Sequence, residues 1–233
     1  MRIGNSQMEV PPLTKVNKIL IFTIIGFFLL HTIIRMTVGA YISQFLSLSG
    51  GFFFSGHLYQ ILTYPLMATE IFEVIFDSLI LWFIGCELEL LWGSKRYFIY
   101  ILVSGIFGGL IFLGISSLLG FWSFLSGPAG VCYSLLVAYA ILFPERNLLL
   151  YFFPVKAKWF CLIMAGILLY QGIFATGSSA AWGHLGAMVS GFSYLLFLSR
   201  KALKLPILKK TRRNKPNLRV VNDDDQDNPK YWQ

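Results

Sequence analysis

Residues Tyr97–Leu119 read YFIYILVSGIFGGLIFLGISSLL, an apolar run without a charged side chain. A helix needs about 20 apolar residues to cross the hydrocarbon core of a bilayer, so this run predicts a membrane-spanning helix. The whole chain has the same character, since 56% of its 233 residues are hydrophobic and 13% are charged, against about 25% charged in soluble domains. The sequence therefore predicts an integral membrane protein.

Five more apolar runs accompany this one, and together they predict an all-α membrane protein built as a six-transmembrane-helix bundle. The first run is longer than the apolar core of a signal peptide, so we expect an uncleaved anchor. The bundle forms a membrane domain at 19–199, between an N-terminal segment at 1–18 and a tail at 200–233. The predicted helices span about residues 19–38, 65–85, 97–119, 129–143, 159–175 and 180–198.

Positive charges predict the orientation, because Lys and Arg concentrate on the cytoplasmic side of a membrane. With a cytoplasmic N-terminus and six crossings, eighteen of the nineteen Lys and Arg residues fall inside, and Arg35 falls outside. Ten of them lie between Arg200 and Lys230, after the last apolar run. We therefore expect a multi-pass protein of the cell membrane, the inner membrane in a bacterium, with both termini in the cytoplasm.

The formal charge of +8 is concentrated in the tail, and so it does not predict a nucleic-acid partner. Basic residues directly after a membrane helix attract anionic lipid headgroups, so we expect the basic part of the tail to contact the bilayer surface. The acidic end of the tail is predicted to be disordered. The three cysteines lack the spacing of a disulfide framework or a zinc site, and no cofactor is predicted.

Three acidic residues lie in or beside the second apolar run. Glu70, Glu73 and Asp77 are spaced by three and four residues, which places them on one helical face. A charge at the bilayer centre costs on the order of 3 kcal/mol on insertion scales, so such residues usually face a cavity or a partner. Glu73 and Asp77 therefore belong either to a functional site or to a structural hydrogen bond. The same two alternatives apply to His184, which small residues flank.

The fourth apolar run is short and follows Ser126-Gly127-Pro128. This tripeptide ends a helix and prepares the first turn of a new one. The fourth helix is therefore predicted to begin below the membrane surface, where irregular backbone needs a covering of protein or a water-filled cavity. We expect that cavity at Gly127.

Two motifs stand out at the fourth and sixth predicted helices. Gly127-Pro128-Ala129-Gly130-Val131-Cys132-Tyr133 opens the fourth, and His184-Leu185-Gly186 lies in the sixth. Together they resemble the rhomboid family of intramembrane serine proteases. Further matching segments follow the family's order and spacing, so the resemblance covers roughly residues 55–200. These segments are 63–67, 85–89, 92–98 and 143–146.

The resemblance implies a role for each matching position. In the family, a serine on the fourth helix attacks the peptide carbonyl, a histidine on the sixth is the general base, and an asparagine and a histidine on the second hold the oxyanion. Here the nucleophile position is Ala129, the base position is His184, and the oxyanion positions are Glu73 and Asp77. Tyr59-Gln60 replaces a Trp-Arg pair of the family. The supporting motif residues are Gly127, Gly130, Tyr133 and Gly186.

These departures predict a catalytically inactive protein. Alanine offers no nucleophile, and two acids would repel a developing oxyanion, where the loss of a single donor already costs about 100- to 1000-fold in rate. Ser126 lies before the helix, and Cys132 and Ser134 point elsewhere on it. Ala129 is either native or an engineered replacement, and the two acids favour a native pseudoprotease.

Three functions remain open on the sequence. The first is a pseudoprotease that binds transmembrane segments of client proteins. The second is an intramembrane serine endopeptidase whose nucleophile is replaced in this chain. In the third, Glu73, Asp77 and His184 share a proton or bind a cation; no metal site is predicted beyond that alternative.

Overall fold

The computed structural model describes residues 11–38, 43–120, 123–150, 153–174 and 179–202. Helices dominate these ranges, and the all-α class predicted from the apolar runs holds for them apart from one short hairpin. Most of the predicted tail, residues 203–233, lies outside the described residues.

The helices are α1 (Lys15–Val38), α2 (Ser43–Leu46), α3 (Gly50–Phe54), α4 (Gln60–Thr63), α5 (Ile71–Ile80), α6 (Cys86–Trp92), α7 (Ser94–Leu119), α8 (Ala129–Leu142), α9 (Ala157–Phe174) and α10 (Ser179–Ala202).

Four helices are long and apolar enough to cross a membrane by their length and composition. These segments are Lys15–Thr37, Ser94–Leu119, Ala157–Phe174 and Ser179–Leu198. Helix α8 is apolar but shorter, because the irregular backbone through Gly127 delays its start. The protein is therefore a helical membrane protein with several spans.

The second predicted helix differs from the structure at both ends. Pro65 lies in a 3-10 turn (Tyr64–Leu66), and Glu70 is extended, with φ −113° and ψ 140°, so helix α5 begins only at Ile71. At its other end the helix continues through a π-helical turn (Leu81–Gly85) into α6. Gly93 then ends it with a φ of +80°, a value that glycine adopts without strain.

The long connection between α1 and α5 contains the short helices α2, α3 and α4. The buried side chain of Gln60 holds this segment together. Its amide oxygen accepts a hydrogen bond from the Ser49 N–H at 3.3 Å, and its amide nitrogen donates to the Phe45 carbonyl at 3.1 Å. Gln60 thus has a structural role at one of the positions where the sequence departs from the family pattern.

Helix α8 lies at the centre of the packed region. Most of its residues are buried, whereas few residues of α1 and α9 are buried. Two tyrosines of neighbouring elements hold the centre by hydrogen bonds of 2.6 Å: the Tyr100 hydroxyl donates to the Ser134 carbonyl, and the Tyr64 hydroxyl donates to the Gly105 carbonyl. These bonds satisfy polar groups that water does not reach.

Helices α7 and α10 approach closely through small residues. A Cβ atom on Gly108 would stand 2.9 Å from the Cβ of Ala187 and 3.0 Å from the carbonyl oxygen of Gly183. Small residues permit such close approach between membrane helices. The helix that carries His184 is therefore held tightly against α7.

A hairpin that the sequence analysis did not predict joins α8 to α9. Strands β1 (Asn147–Leu150) and β2 (Phe153–Lys156) pair antiparallel, with Asn147 opposite Lys156. Glu145, just before the hairpin, binds both Lys156 and Lys158. These two hydrogen-bonded lysines lower the pKa of Glu145 to about 2.

Candidate functional site

The site forms where the loop before α8 meets the beginning of α5. The N–H of Gly127 donates to the carbonyl of Tyr64 at 2.9 Å. Two further hydrogen bonds of 2.8 Å join Leu125 to Leu48 on the connection that follows α1. The loop is therefore attached at two points, which fixes where α8 begins.

Glu73 lies directly against Gly127. The carboxylate occupies the space that a Cβ atom on Gly127 would take, and Gly127 has a φ of +89°, so glycine is required there for both reasons. The N–H of Thr69 donates to Oε2 of Glu73 at 3.1 Å. Because Glu73 lies in the first turn of α5, the dipole of this helix also favours its negative charge.

Asp77 lies one helical turn further along α5 and is only 6% exposed. Its carboxyl group interacts with Cys132 and with Tyr133 of α8, and also with Glu73. Its Oδ2 atom has no hydrogen-bond partner among the described residues. Glu73 and Asp77 thus share one helical face, and that face is directed at the start of α8.

His184 approaches the same part of α8 from the other side. A Cβ on Gly130 would stand 3.2 Å from Nδ1 of His184, so the absence of a side chain at Gly130 makes room for the imidazole. The ring packs edge-to-face on Tyr133, with 5.6 Å between the ring centroids. Nδ1 is buried and has no hydrogen-bond partner within the described ranges, so the packing on Tyr133 and Gly130 positions this side of the ring.

Ala129, the first residue of α8, is partly buried between these two groups of residues. Its methyl group supplies no nucleophile. The nearby candidates are committed to other contacts: the Cys132 thiol donates to the backbone carbonyl of Asp77 at 3.7 Å, and the Ser134 hydroxyl donates to the Val131 carbonyl at 2.7 Å. Neither group takes the place of a serine at position 129.

The structure therefore brings most of the predicted site residues to the first turns of α8. Gly186 lies elsewhere, packed against the side chain of Ile111. The described residues contain no group of three His, Cys, Asp or Glu side chains placed to bind a metal ion. Glu73, Asp77 and His184 are thus not assembled into a metal-binding set, although Tyr133 contacts the imidazole and interacts with both acids.

A buried polar cluster around Glu89, at the opposite end of the α5–α6 helix, was not predicted. Its carboxylate, in a residue 3% exposed, accepts hydrogen bonds from the backbone N–H groups of Val16 and Asn17 and from the side chains of Thr14, Asn17 and Ser94. These partners begin α1 and α7. Glu89 therefore anchors both helices at one end of the bundle.

The fold and this site define the class of protein: a helical, multi-span membrane protein with a short, deeply buried helix that starts beside an imidazole and two acids. The sequence model of the Rhomboid domain matches residues 55–201, more than half of the chain. The chain belongs to the rhomboid family, as the motifs at 127–133 and 184–186 predicted.

One curated relative carries the word inactive in its name. The chain is 30% identical over 152 residues to the inactive rhomboid-related protein 2 of Caenorhabditis elegans. The match covers 62% of this chain and 42% of the relative. The chain thus spans less than half the length of this relative, and the similarity concerns part of the worm protein.

Proposed function

We propose that this chain is a rhomboid pseudoprotease that binds transmembrane segments of client proteins without cleaving them. The observation that carries the proposal is the pairing of Ala129 with Glu73. The nucleophile position has no nucleophile, and the carboxylate of Glu73 lies against Gly127, next to where a peptide carbonyl would have to bind. The similarity to a relative named as inactive supports the same conclusion.

The missing hydroxyl is one reason to expect inactivity, and the electrostatics of the site are a second. A serine protease stabilises the negative charge of its tetrahedral intermediate with hydrogen-bond donors. Here both oxyanion positions carry carboxyl groups, and Glu73 and Asp77 also repel each other. An oxyanion at this place would face carboxyl groups at both positions where the family has hydrogen-bond donors.

Client binding is supported by the apolar surface that α5 and α9 expose. Phe72, Ile75 and Phe76 are exposed on α5, and Leu162 and Ile163 are exposed on α9. Apolar side chains of a membrane helix contact either lipid or another helix. A single-span client that lies against α5 would reach Glu73 without crossing the buried core.

The arrangement in the membrane is part of the proposal. Six crossings with both termini in the cytoplasm require α8 and the α5–α6 helix to span together with the four long apolar helices. The distribution of Lys and Arg supports this orientation, since all but Arg35 then fall inside. We further propose a bacterial inner membrane as the location, with the basic tail at anionic headgroups.

An intramembrane serine endopeptidase with serine at position 129 is the alternative, and the retained His184 beside Gly130 and Tyr133 favours it. A proton-sharing or cation site formed by Glu73, Asp77 and His184 together has less support, since those three are not grouped.

The test uses purified protein in liposomes with a cleavable single-span substrate. The chain as given and Ala129→Ser are compared, with Ala129→Ser/His184→Ala as the matched control. We expect no product from any of them, together with saturable binding of the substrate to all three. Cleavage by Ala129→Ser that His184→Ala abolishes would establish the endopeptidase alternative instead. Absence of saturable binding would reject the client-binding proposal.

A further inference from the structure

We infer that the clients of this protein carry a Lys or Arg within the part of their transmembrane segment that lies level with the beginnings of α5 and α8. This inference rests on the proposed function and names the class of client. It rests on three observations: the buried Oδ2 atom of Asp77 has no hydrogen-bond partner among the described residues, Glu73 lies one helical turn away, and α5 exposes an apolar surface to a client.

Asp77 matters most here because no cation is paired with its carboxyl group in the described part of the chain. The residue is 6% exposed, and Oδ2 is buried without a hydrogen-bond partner. The salt bridges of the described residues join Glu87 to Arg146 and Glu145 to two lysines, and none of them includes Glu73 or Asp77. A buried carboxylate normally has a partner.

The two acids differ in how the protein satisfies them. Glu73 accepts the Thr69 N–H and lies in the first turn of α5, where a helix N-terminus favours negative charge. Asp77 is one turn deeper, beyond the reach of that effect, and faces Cys132 and Tyr133. The unsatisfied group is therefore the more deeply buried one, and Glu73, one turn nearer the start of α5, is partly exposed.

A basic client residue fits this arrangement in charge and in length. Lys and Arg carry their charge at the end of a long apolar stem, which crosses apolar surroundings to reach a polar site. Such a side chain would pass the exposed surface at Phe72 and Phe76, which adjoin Glu73 on α5, contact Glu73, and end at Asp77. The client in turn would gain a partner for its cation, which is unfavourable in the membrane when it is unpaired.

The experiment measures binding of labelled single-span peptides to the full chain in liposomes by energy transfer. Three peptides share one Leu-rich segment and differ at a single position in its outer third, which carries Lys, Leu or Asp. For the native chain we expect the Lys peptide to bind about five- to tenfold more tightly than the Leu peptide. The Asp peptide should bind more weakly than the Leu peptide.

Two variants locate the effect. Asp77→Asn/Glu73→Gln keeps the size of both side chains, and the Gln amide oxygen still accepts the Thr69 N–H. This variant should lose the preference for Lys, so that it binds the Lys and Leu peptides with equal affinity. The control Glu70→Gln removes an exposed acid next to the site and should keep the preference.

Each remaining outcome contradicts the inference. Equal affinity for Lys and Leu peptides on the native chain would reject the basic client but leave client binding intact, whereas failure of all three peptides to bind would reject the proposed function itself. A preference for Lys that survives Asp77→Asn/Glu73→Gln would place the attraction elsewhere. The comparison of the Asp and Leu peptides needs only the native chain, so it tests the inference even if the double variant does not fold. An Asp peptide that binds as tightly as the Leu peptide would reject the basic client.

Discussion

The carboxylate of Glu73 and the backbone of Gly127 occupy adjoining space, so that no side chain at position 127 is compatible with Glu73 as it stands. Gly127→Ala should therefore lower the free energy of unfolding by about 2–4 kcal/mol, through a left-handed φ of +89° and through overpacking. Unfolding in mixed micelles measures this loss. In Gly127→Ala/Glu73→Ala the steric part should disappear and the backbone part should remain. A double variant as unstable as Gly127→Ala would show that the contact between Glu73 and position 127 does not affect the free energy of unfolding.

Glu89 offers a second test, at the other end of the bundle. Glu89→Ala leaves the donors of Thr14, Asn17 and Ser94 without their acceptor in a buried place, and we expect a loss of about 3–5 kcal/mol. The matched control is Glu87→Ala, two residues away, whose ion pair with Arg146 is partly exposed and should contribute at most about 1 kcal/mol. Equal losses for the two variants would contradict the anchoring role.

The predicted helix positions show what local sequence determines. Runs of apolar residues located α7 and α8 because length and hydropathy are local properties. The start of α5 was wrong by several residues, since Pro65 enters a 3-10 turn rather than a helix, and apolar composition does not distinguish the two. The end was also wrong, because the helix continues to Trp92 with Glu87 and Glu89 in contact with polar partners.

The site could be predicted only in part. Spacing placed Glu73 and Asp77 on one face, because helical periodicity relates residues that are close in sequence. Contacts such as Glu73 with Gly127, or Glu89 with Asn17, join residues that are far apart in the chain, and no local pattern specifies them. The buried Glu89 did carry a signal, however: an acid among apolar residues near the end of a membrane helix requires donors from other elements.

The close packing of α7 on α10 can be tested by adding one methyl group. Gly108→Ala would bring a Cβ to 2.9 Å from that of Ala187, so we expect a loss of about 1–3 kcal/mol despite the better helix propensity of alanine. Gly114→Ala is the control in the same helix, since nothing lies within 4 Å of its added Cβ. It should leave stability unchanged or raise it by up to about 1 kcal/mol. Thermal unfolding in micelles compares the two, and equal effects would contradict the packing argument.

Glu145 should remain ionised in acid. Hydrogen bonds from Lys156 and Lys158 lower its pKa from 4.5 to about 2. The pKa in the folded state lies below that in the unfolded state, so the contribution of the pair to stability is present above pH 4.5 and declines as the pH falls towards 2. A carbon NMR titration of the Glu145 carboxyl group measures this directly. Lys156→Ala/Lys158→Ala should return the pKa to near 4.5, and a native value already near 4.5 would show that the two contacts do not persist in solution.

Stepwise restoration of the missing chemical groups separates the lost nucleophile from the lost oxyanion donors. Ala129→Ser supplies the hydroxyl beside His184, but it leaves Glu73 and Asp77 where the oxyanion develops, so we expect no measurable cleavage. Adding Glu73→His and Asp77→Asn replaces both acids with donors, and each donor contributes about 100- to 1000-fold to the rate. The triple variant should therefore cleave a single-span substrate at least about 100-fold faster than Ala129→Ser, and His184→Ala in the triple variant should abolish the product. Cleavage by Ala129→Ser at the rate of the triple variant would show that the two acids do not oppose catalysis, and inactivity would then follow from Ala129 alone.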